Sequence, residues 1–316
     1  MSFLDIKPVD KYESYIDKAF GRASKRAGQM KVAKKWTRLD KIKNKELVRL
    51  QVVVDNLASD LNELDKRFPS IKDLNEFYKK LVEIMIGIVD FKKSFARINW
   101  AGKKIHEFHR TYRKKIRISK DINRITRFRK EFYGRINSVM KQIKPALEFL
   151  EFARKEFRKF PVIKEIFSIA IAGFPNVGKS TLLYKLTGSK PEIAAYPFTT
   201  KGIMLGYLKH DDKKIQLLDT PGTLNRFEKM NIIEKQAWLA LKHVADVVIY
   251  IFDLTEPFPL TKQIKLYEKI KKLDKPVIAY LSKTDIIKKD IKDFQEKYKA
   301  FADANELKKK IITYSL

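Results

Sequence analysis

Residues 173–180 read Gly-Phe-Pro-Asn-Val-Gly-Lys-Ser, the spacing G-x-x-x-x-G-K-[ST]. This spacing suits the phosphates of a nucleotide. Its glycines let the backbone from Phe174 through Pro175, Asn176, Val177 and Gly178 to Lys179, Ser180 and Thr181 curl round a phosphate with its N–H groups turned inward. A helix beginning there adds the positive end of its dipole. Lys179 can then reach the β- and γ-phosphates, and the Ser180 hydroxyl can ligate Mg²⁺.

Three further segments fall where a nucleotide would need them. Asp219-Thr-Pro-Gly222 lies about forty residues on. Asp219 at a strand end can hold Mg²⁺ through water, and Gly222 can offer its N–H to a γ-phosphate. Between them Tyr196-Pro-Phe-Thr-Thr-Lys-Gly202 supplies Thr200, with Thr199 as the alternative, whose hydroxyl can bind Mg²⁺ and whose N–H can meet the γ-phosphate. Ser282-Lys-Thr-Asp285 can read the base. Asp285 accepts from N1–H and the 2-amino group of guanine, which adenine lacks, so ATP would leave the carboxylate unpaired. Lys283 can lay its stem along the base plane. The final residues, with Ser315 among them, fall where a last loop would touch the base edge. The expected ligands are GTP or GDP with Mg²⁺, and the expected catalytic groups are Lys179, Thr200 and Gly222.

The elements that must position these residues differ between the two halves. In residues 161–316 short apolar runs at 167–172, 215–218, 247–252, 277–281 and 311–314 alternate with helical segments at 182–187, 232–243, 261–273 and 290–302. Buried strands alternating with helices indicate a mostly parallel sheet, with ligands at the carboxyl ends of its strands. In residues 1–160 glycine is sparse and apolar residues recur at three- and four-residue spacing. Leu47, Leu50, Val54, Leu57, Leu61 and Leu64 trace one stripe ending before Pro69. Ser70 or Asp73 would cap a second long helix through Phe77, Leu81, Ile84, Ile88 and Phe91. A third region spans 121–160, broken or kinked at Pro145. The expectation is an α plus α/β chain: an antiparallel helical bundle over 1–160, then a P-loop GTPase domain over 161–316. Because 311–314 reads as the last strand, that domain would lack its closing helix.

The 316 residues carry 68 lysines and arginines against 38 acids, a net charge of +30. Of that excess, +21 lies in 1–160, where 41 basic residues face 20 acidic ones. Residues 91–135 hold 16 basic and 3 acidic residues, too few acids to pair the bases. The window should project a positive field toward a polyanion. Its candidate contacts with nucleic acid are Arg110, Arg113, Lys114, Lys115, Arg117, Arg124, Arg127, Arg129 and Lys130. The interleaved Phe108, Tyr112, Phe128, Phe132 and Tyr133 either fill the bundle core or stack on unpaired bases. The chain has no cysteine, which excludes disulfides, thiolate metal sites and a cysteine nucleophile. Its longest apolar runs are too short to span a membrane, and charges interrupt its N-terminus where a signal peptide would be apolar.

The segments 173–181 (GFPNVGKST), 194–202 (AAYPFTTKG), 219–224 (DTPGTL), 232–256, 134–161 and 77–103 resemble the Nog-type nucleolar GTP-binding proteins over nearly the whole chain. The resemblance implies a GTPase acting in assembly of the large ribosomal subunit, binding ribosomal RNA, the subunit precursor and assembly proteins. An archaeal member fits, because the long C-terminal extension of the eukaryotic, nucleolar proteins is missing; the accompanying expectations are a cytoplasmic location and a monomer. Some relatives use an Asn at the position of Asn176 to help bind K⁺ beside the phosphates. The chain departs from the usual motif at Ser282, where Asn is customary. Thr223 stands where many regulatory GTPases carry a water-orienting Gln, so slow intrinsic hydrolysis is expected. Two other readings stay open on these residues: an RNA-binding module whose nucleotide site senses but scarcely hydrolyses, and a GTPase held at an anionic membrane surface without stable insertion.

Overall fold

The structure, a computed structural model, describes residues 3–31, 33, 35–188, 204–210, 213–220, 232–255, 258–287 and 291–315. The chain divides into two compact units. One joins residues 3–73 to 86–158, and the other joins 74–85 to 159–316. The sequence places the boundary at Phe160 and Pro161, in one cut. The structure adds a segment of the first half, 74–85, to the second unit.

The first unit is helical. Its helices are α1 (Tyr12–Gly28), α2 (Arg38–Arg67), α4 (Ile88–Ile118), α5 (Ile122–Gln142) and α6 (Lys144–Phe157), while α3 (Glu76–Met85) belongs to the other unit. A capping box starts α2: the Thr37 hydroxyl accepts from Asp40 N at 3.1 Å, and the Asp40 carboxylate accepts from Thr37 N at 3.1 Å. The helix stops at Arg67 because Phe68 precedes a proline and is extended (φ −98°, ψ 147°). Leu50, Val54, Leu57, Leu61 and Leu64 are buried, as the stripe predicts, while its first member, Leu47, is half-buried. On α4, Phe91, Ile98, Ala101, Ile105, Tyr112 and Ile116 form the buried face. Pro145 sits in the first turn of α6, where a missing N–H costs nothing, so α5 and α6 are separate helices.

The second long helix expected through 77–91 is instead two. Gly87 adopts φ +89°, which few other residues tolerate, and divides α3 from α4. Nor do Ser70 or Asp73 cap α3; the Asn75 side chain accepts from Tyr78 N at 3.1 Å. The Tyr78 hydroxyl is buried, donates to Pro161 O at 2.6 Å and accepts from Ile163 N at 3.0 Å. Tyr78→Phe would orphan both backbone groups and is expected to lower stability by about 1–3 kcal/mol in urea unfolding. A change of only a few tenths would contradict this linkage.

The second unit holds a five-stranded sheet of order β2-β3-β1-β4-β5. Its elements in chain order are β1 (Ser168–Ala172), α7 (Lys179–Thr187), β2 (Met204–His210), β3 (Lys213–Asp219), α8 (Ile232–His243), β4 (Val247–Asp253), α9 (Leu260–Lys271), β5 (Val277–Ser282), α10 (Lys292–Tyr298) and α11 (Ala304–Ser315). All strand pairs are parallel except β2 with β3. Both faces are covered. Ile169, Ile171 and Ile249 pack with Leu183, Leu186 and Ile311 on one side; Ala170, Val248 and Tyr250 pack with Ala237, Leu241 and Tyr267 on the other.

The segment expected as a last strand, 311–314, is part of α11. Leu307 and Ile311 sit four residues apart and are fully buried on one face of that helix. Asp303 starts it, its Oδ1 accepting from Asn305 N and Glu306 N at 2.8 and 3.0 Å. The sixth-strand role falls to Phe301, which bridges Tyr280 in parallel. The closing helix is therefore present. Ser315 lies at the end of that helix and not in a loop after a strand, which removes the ground for placing it at the base edge. No helix among the described residues is long and apolar enough to cross a membrane.

Candidate nucleotide site and cationic face

The loop 173–178 leaves the carboxyl end of β1 and enters α7 directly. Asn176 (φ +59°) and Gly178 (φ +90°) both take left-handed conformations, which Asn and Gly accommodate best, and this curls the loop tightly. Gly178 is the N-cap of α7. Val177 is fully buried and Asn176 is exposed, so the loop is anchored by one apolar side chain and presents the next position to solvent.

Lys179 and Asp219 are both buried in this unit. The Lys179 ammonium donates to Phe174 O at 2.7 Å across the loop. The Ser180 hydroxyl donates to Asp219 Oδ2 at 2.5 Å. Asp219 Oδ1 is buried with no hydrogen-bond partner among the described residues. Burial pulls the Lys179 ammonium below its usual range, opposed by the charge of Asp219. Burial pushes the Asp219 carboxyl up, opposed by the Ser180 hydrogen bond and the Lys179 charge. A hydroxyl and an orphaned carboxylate oxygen at the edge of a phosphate cradle are the hard-oxygen donors Mg²⁺ takes alongside phosphate oxygens, so Ser180 and Asp219 fit that ion.

Folded Asp219 keeps its proton at pH values where the unfolded chain, with its carboxyl at 3.8, has lost it. Through this group, stability therefore falls as pH rises from 3.8 through the raised value. Asp219→Asn is expected to remove that component of the slope when nucleotide-free protein is unfolded in urea across the acid range. An unchanged slope would contradict the assignment.

Asp219 is followed by Thr220, whose hydroxyl donates to Ile171 O at 2.7 Å and whose N–H donates to the same oxygen at 3.2 Å. The start of the 219–222 segment is thus tied to β1. Gly222 and Thr200 lie outside the described residues. Sequence reasoning missed Thr220, which carried no signal beyond its place in the motif.

The proposed base loop leaves β5 beside the phosphate loop: a Cβ on Gly178 would lie 3.7 Å from Ser282 Cβ. The Ser282 hydroxyl donates to Phe252 O at 3.1 Å. Lys283 is in the left-handed region (φ +56°), and Asp285 is exposed on the turn that follows. Two further residues support this corner. Asp253, fully buried at the end of β4, pairs with Lys283 Nζ at 2.6 Å. Gln263 of α9, also fully buried, accepts from Asp253 N at 2.9 Å and donates to Asp253 O and Phe258 O, each at 2.8 Å.

In the helical unit a groove of about 470 Å³ runs along α4, lined by His106, His109, Arg110, Arg113, Lys114 and Arg117 among others. Arg110, Arg113, Lys114 and Arg117 are exposed and form no ion pair with the described residues. The other basic candidates are differently engaged. Lys115 lies over the rings of Tyr112 and Phe128, at 4.8 and 5.5 Å from their centroids. Arg124 and Arg127 are exposed beside Asp121 and Glu131. Lys130 is exposed.

Arg129 departs from the expectation: it turns inward to Glu46, 3.1 Å away and almost fully buried, which also binds Arg49 at 2.5 Å. Glu46 needs both cations to offset its burial, so Arg129 is held by the fold. The aromatic residues resolve toward the core. Tyr112 and Phe132 are buried and edge-on at 5.9 Å, and Tyr133 stacks on Phe20 at 4.1 Å.

Residues 3–164 match the NOG1 N-terminal helical domain, and residues 168–283 match the 50S ribosome-binding GTPase domain. The chain is 38% identical over 279 residues to an uncharacterised protein of Methanocaldococcus jannaschii, covering 87% of this chain and 78% of that one. It is 28% identical over 313 residues to nucleolar GTP-binding protein 1 of Candida glabrata, covering 97% of this chain and 48% of that one. The protein of the same name in Saccharomyces cerevisiae is 28% identical over 294 residues, covering 91% and 45%. The chain thus spans about half the length of these eukaryotic relatives. Among solved structures, Era of Aquifex aeolicus bound to GDP and aluminium fluoride aligns over 48% of this chain and 57% of its own at 30% identity, with a TM-score of 0.39. With its two domains matched in order, the chain belongs to the Nog1 family of P-loop GTPases.

Proposed function

We propose that this GTPase acts as a switch in assembly of the large ribosomal subunit and grips ribosomal RNA along α4. The observation that carries the reading is the pairing of two features in one chain. One is a phosphate loop with Lys179, Ser180 and Asp219 gathered at the strand ends. The other is a groove whose four exposed cations have no acidic partner among the described residues.

Lys179 would leave Phe174 O for the β- and γ-phosphate oxygens, and the N–H groups at the start of α7 would meet the remaining phosphate charge. Ser180 and Asp219 would turn from each other toward the ion, with Thr200 as a further ligand. Mg²⁺, when bound, would supply positive charge that offsets the charge developing during phosphoryl transfer. Gly222 N–H would contact the γ-phosphate, so that hydrolysis releases the segment after Asp219. Asp285 would accept from guanine N1–H and the 2-amino group, with Lys283 along the ring. Thr223 offers no carboxamide to orient water, so intrinsic turnover would be slow. Asn176, exposed on the loop, would help hold K⁺ beside the phosphates. Replacing K⁺ by Na⁺ is then expected to lower turnover severalfold, and equal rates in the two salts would remove K⁺ from the mechanism.

Groove cations at successive helical turns suit a run of phosphodiesters, since phosphate contacts dominate nucleic-acid affinity. The partners would be the subunit precursor, its RNA and its assembly proteins, met by a monomer in the cytoplasm. Mapping RNA crosslinks on purified large subunits with GTP, GDP and a non-hydrolysable analogue tests the reading. Crosslinks from α4 that change with nucleotide are expected. Crosslinks absent from α4, or indifferent to nucleotide, would overturn it.

A further inference from the structure

Lys283 holds a left-handed backbone conformation that a non-glycine residue rarely takes, and such a position persists only where its surroundings over-determine it. The surroundings here converge on Asp253. Its backbone is clamped on both sides by Gln263. Its Oδ1 accepts from Thr255 N at 2.9 Å and from Thr255 Oγ1 at 2.6 Å. The carboxylate is wholly buried, and its other oxygen, Oδ2, lies 2.6 Å from Lys283 Nζ. Asp253 is thus a fixed post with one oxygen left for one lysine. Ser282 is too short to span the loop, and its hydroxyl is spent on Phe252 O at the end of β4.

We propose that Asp253 is the positioning residue for base recognition. By clamping Lys283 it sets where the lysine stem lies against the purine and where Asp285, two residues on, presents its carboxylate. In this chain the task of fixing the loop is carried from β4 and α9, through Gln263 and Asp253, and not by the first residue of the loop itself. A buried charge whose partner is removed has no solvent to fall back on, so the clamp is strongly coupled. The inference rests on the guanine-loop reading given above.

The test is a double-mutant cycle read in nucleotide selectivity. Dissociation constants for GDP and ADP are measured on the full chain for wild type, Asp253→Asn, Lys283→Met and the double variant. ADP shares the phosphates and not the base contacts, so it reports the phosphate loop. Wild type should prefer GDP strongly. Asp253→Asn should cut the GDP-to-ADP preference about tenfold with ADP affinity unchanged, and the double variant should be no worse than Lys283→Met alone. Independent, multiplicative losses in the double variant, or a preserved preference in Asp253→Asn, would overturn the proposal. If Asp253→Asn does not fold, Thr255→Val, which removes the hydroxyl donor to Oδ1 at an exposed position and keeps the backbone one, should lower the same preference; no change there and in Lys283→Met would equally overturn it. A wild type indifferent between GDP and ADP would defeat the guanine-loop reading itself, an outcome distinct from a selective wild type whose clamp proves dispensable.

Discussion

Lys179→Ala is expected to lower the single-turnover rate of GTP hydrolysis by at least about a hundredfold, the scale of removing one preorganised charge from a phosphoryl-transfer site. Lys179 is almost fully buried, and its charge is met by Phe174 O and by Asp219 across the site. Desolvation has already been suffered during folding, so the ammonium can act on a phosphate without first shedding water. Lys179→Ala should also abolish the stability gained on adding nucleotide. For wild type, Mg²⁺ and GDP at a hundred times the dissociation constant should add about 2.7 kcal/mol. Paired thermal melts measure the gain in each protein. A variant that keeps the wild-type nucleotide-induced shift would show that Lys179 does not face the phosphates.

The second large effect is expected on RNA. Replacing Arg110, Arg113, Lys114 and Arg117 together by alanine removes four cations from the groove on α4. Each phosphate contact contributes roughly 0.7–0.9 to the slope of log affinity against log salt, so the slope should flatten by about three. At low salt, where counterion release is strongest, binding should weaken by about a hundredfold or more. A control of equal charge, with Arg124, Arg127, Lys130 and Lys115 replaced, should have the smaller effect. Two of those residues stand beside acids, and one lies over the bundle's own rings. Equal slopes for the two quadruple variants would mean that the whole basic surface acts diffusely and the groove has no special standing. Filter binding of a ribosomal RNA fragment between 50 and 200 mM salt is sufficient, that range being the one over which several contacts change affinity by orders of magnitude.

What could be read from the sequence was mostly local. The phosphate loop is written in eight consecutive residues, and its constraints, left-handed turns at Asn176 and Gly178 and a helix start at Lys179, are satisfied within that stretch. Asp219 was legible because a strand end fixes where its side chain goes. The stripe on α2 and the proline break before α6 were legible for the same reason.

The misreadings came from contacts distant in sequence. Arg129 looks like any other base of a cationic helix until Glu46 is brought beside it. The 311–314 run is rich in β-branched residues and reads as a strand, but burial of Leu307 and Ile311 on one face decides for a helix. The β2 strand is not among the expected strands, and Gly206, its third residue, weakens the strand pattern; a Cβ there would come within 2.8 Å of Leu183 and Thr187, so the glycine serves the approach of α7. Asp253 lies inside the resembling segment 232–256 and Gln263 just beyond it, but neither type nor spacing assigns them a role; the pairing appears only in the burial and hydrogen bonding around the β4 end. The division at Gly87 shows the same limit. Periodicity runs through it; the positive φ marks the break, and long-range packing assigns α3 and α4 to different units.

If the protein acts as the proposed switch while α4 grips the large subunit, its slow hydrolysis is expected to quicken on that particle. Single-turnover hydrolysis of GTP, followed with the protein alone and with saturating purified large ribosomal subunits, tests it most directly. The account predicts a slow rate alone and a clear acceleration with subunits that is lost in the Arg110, Arg113, Lys114 and Arg117 variant. Identical rates with and without subunits would contradict it, as would acceleration that survives removal of those four cations.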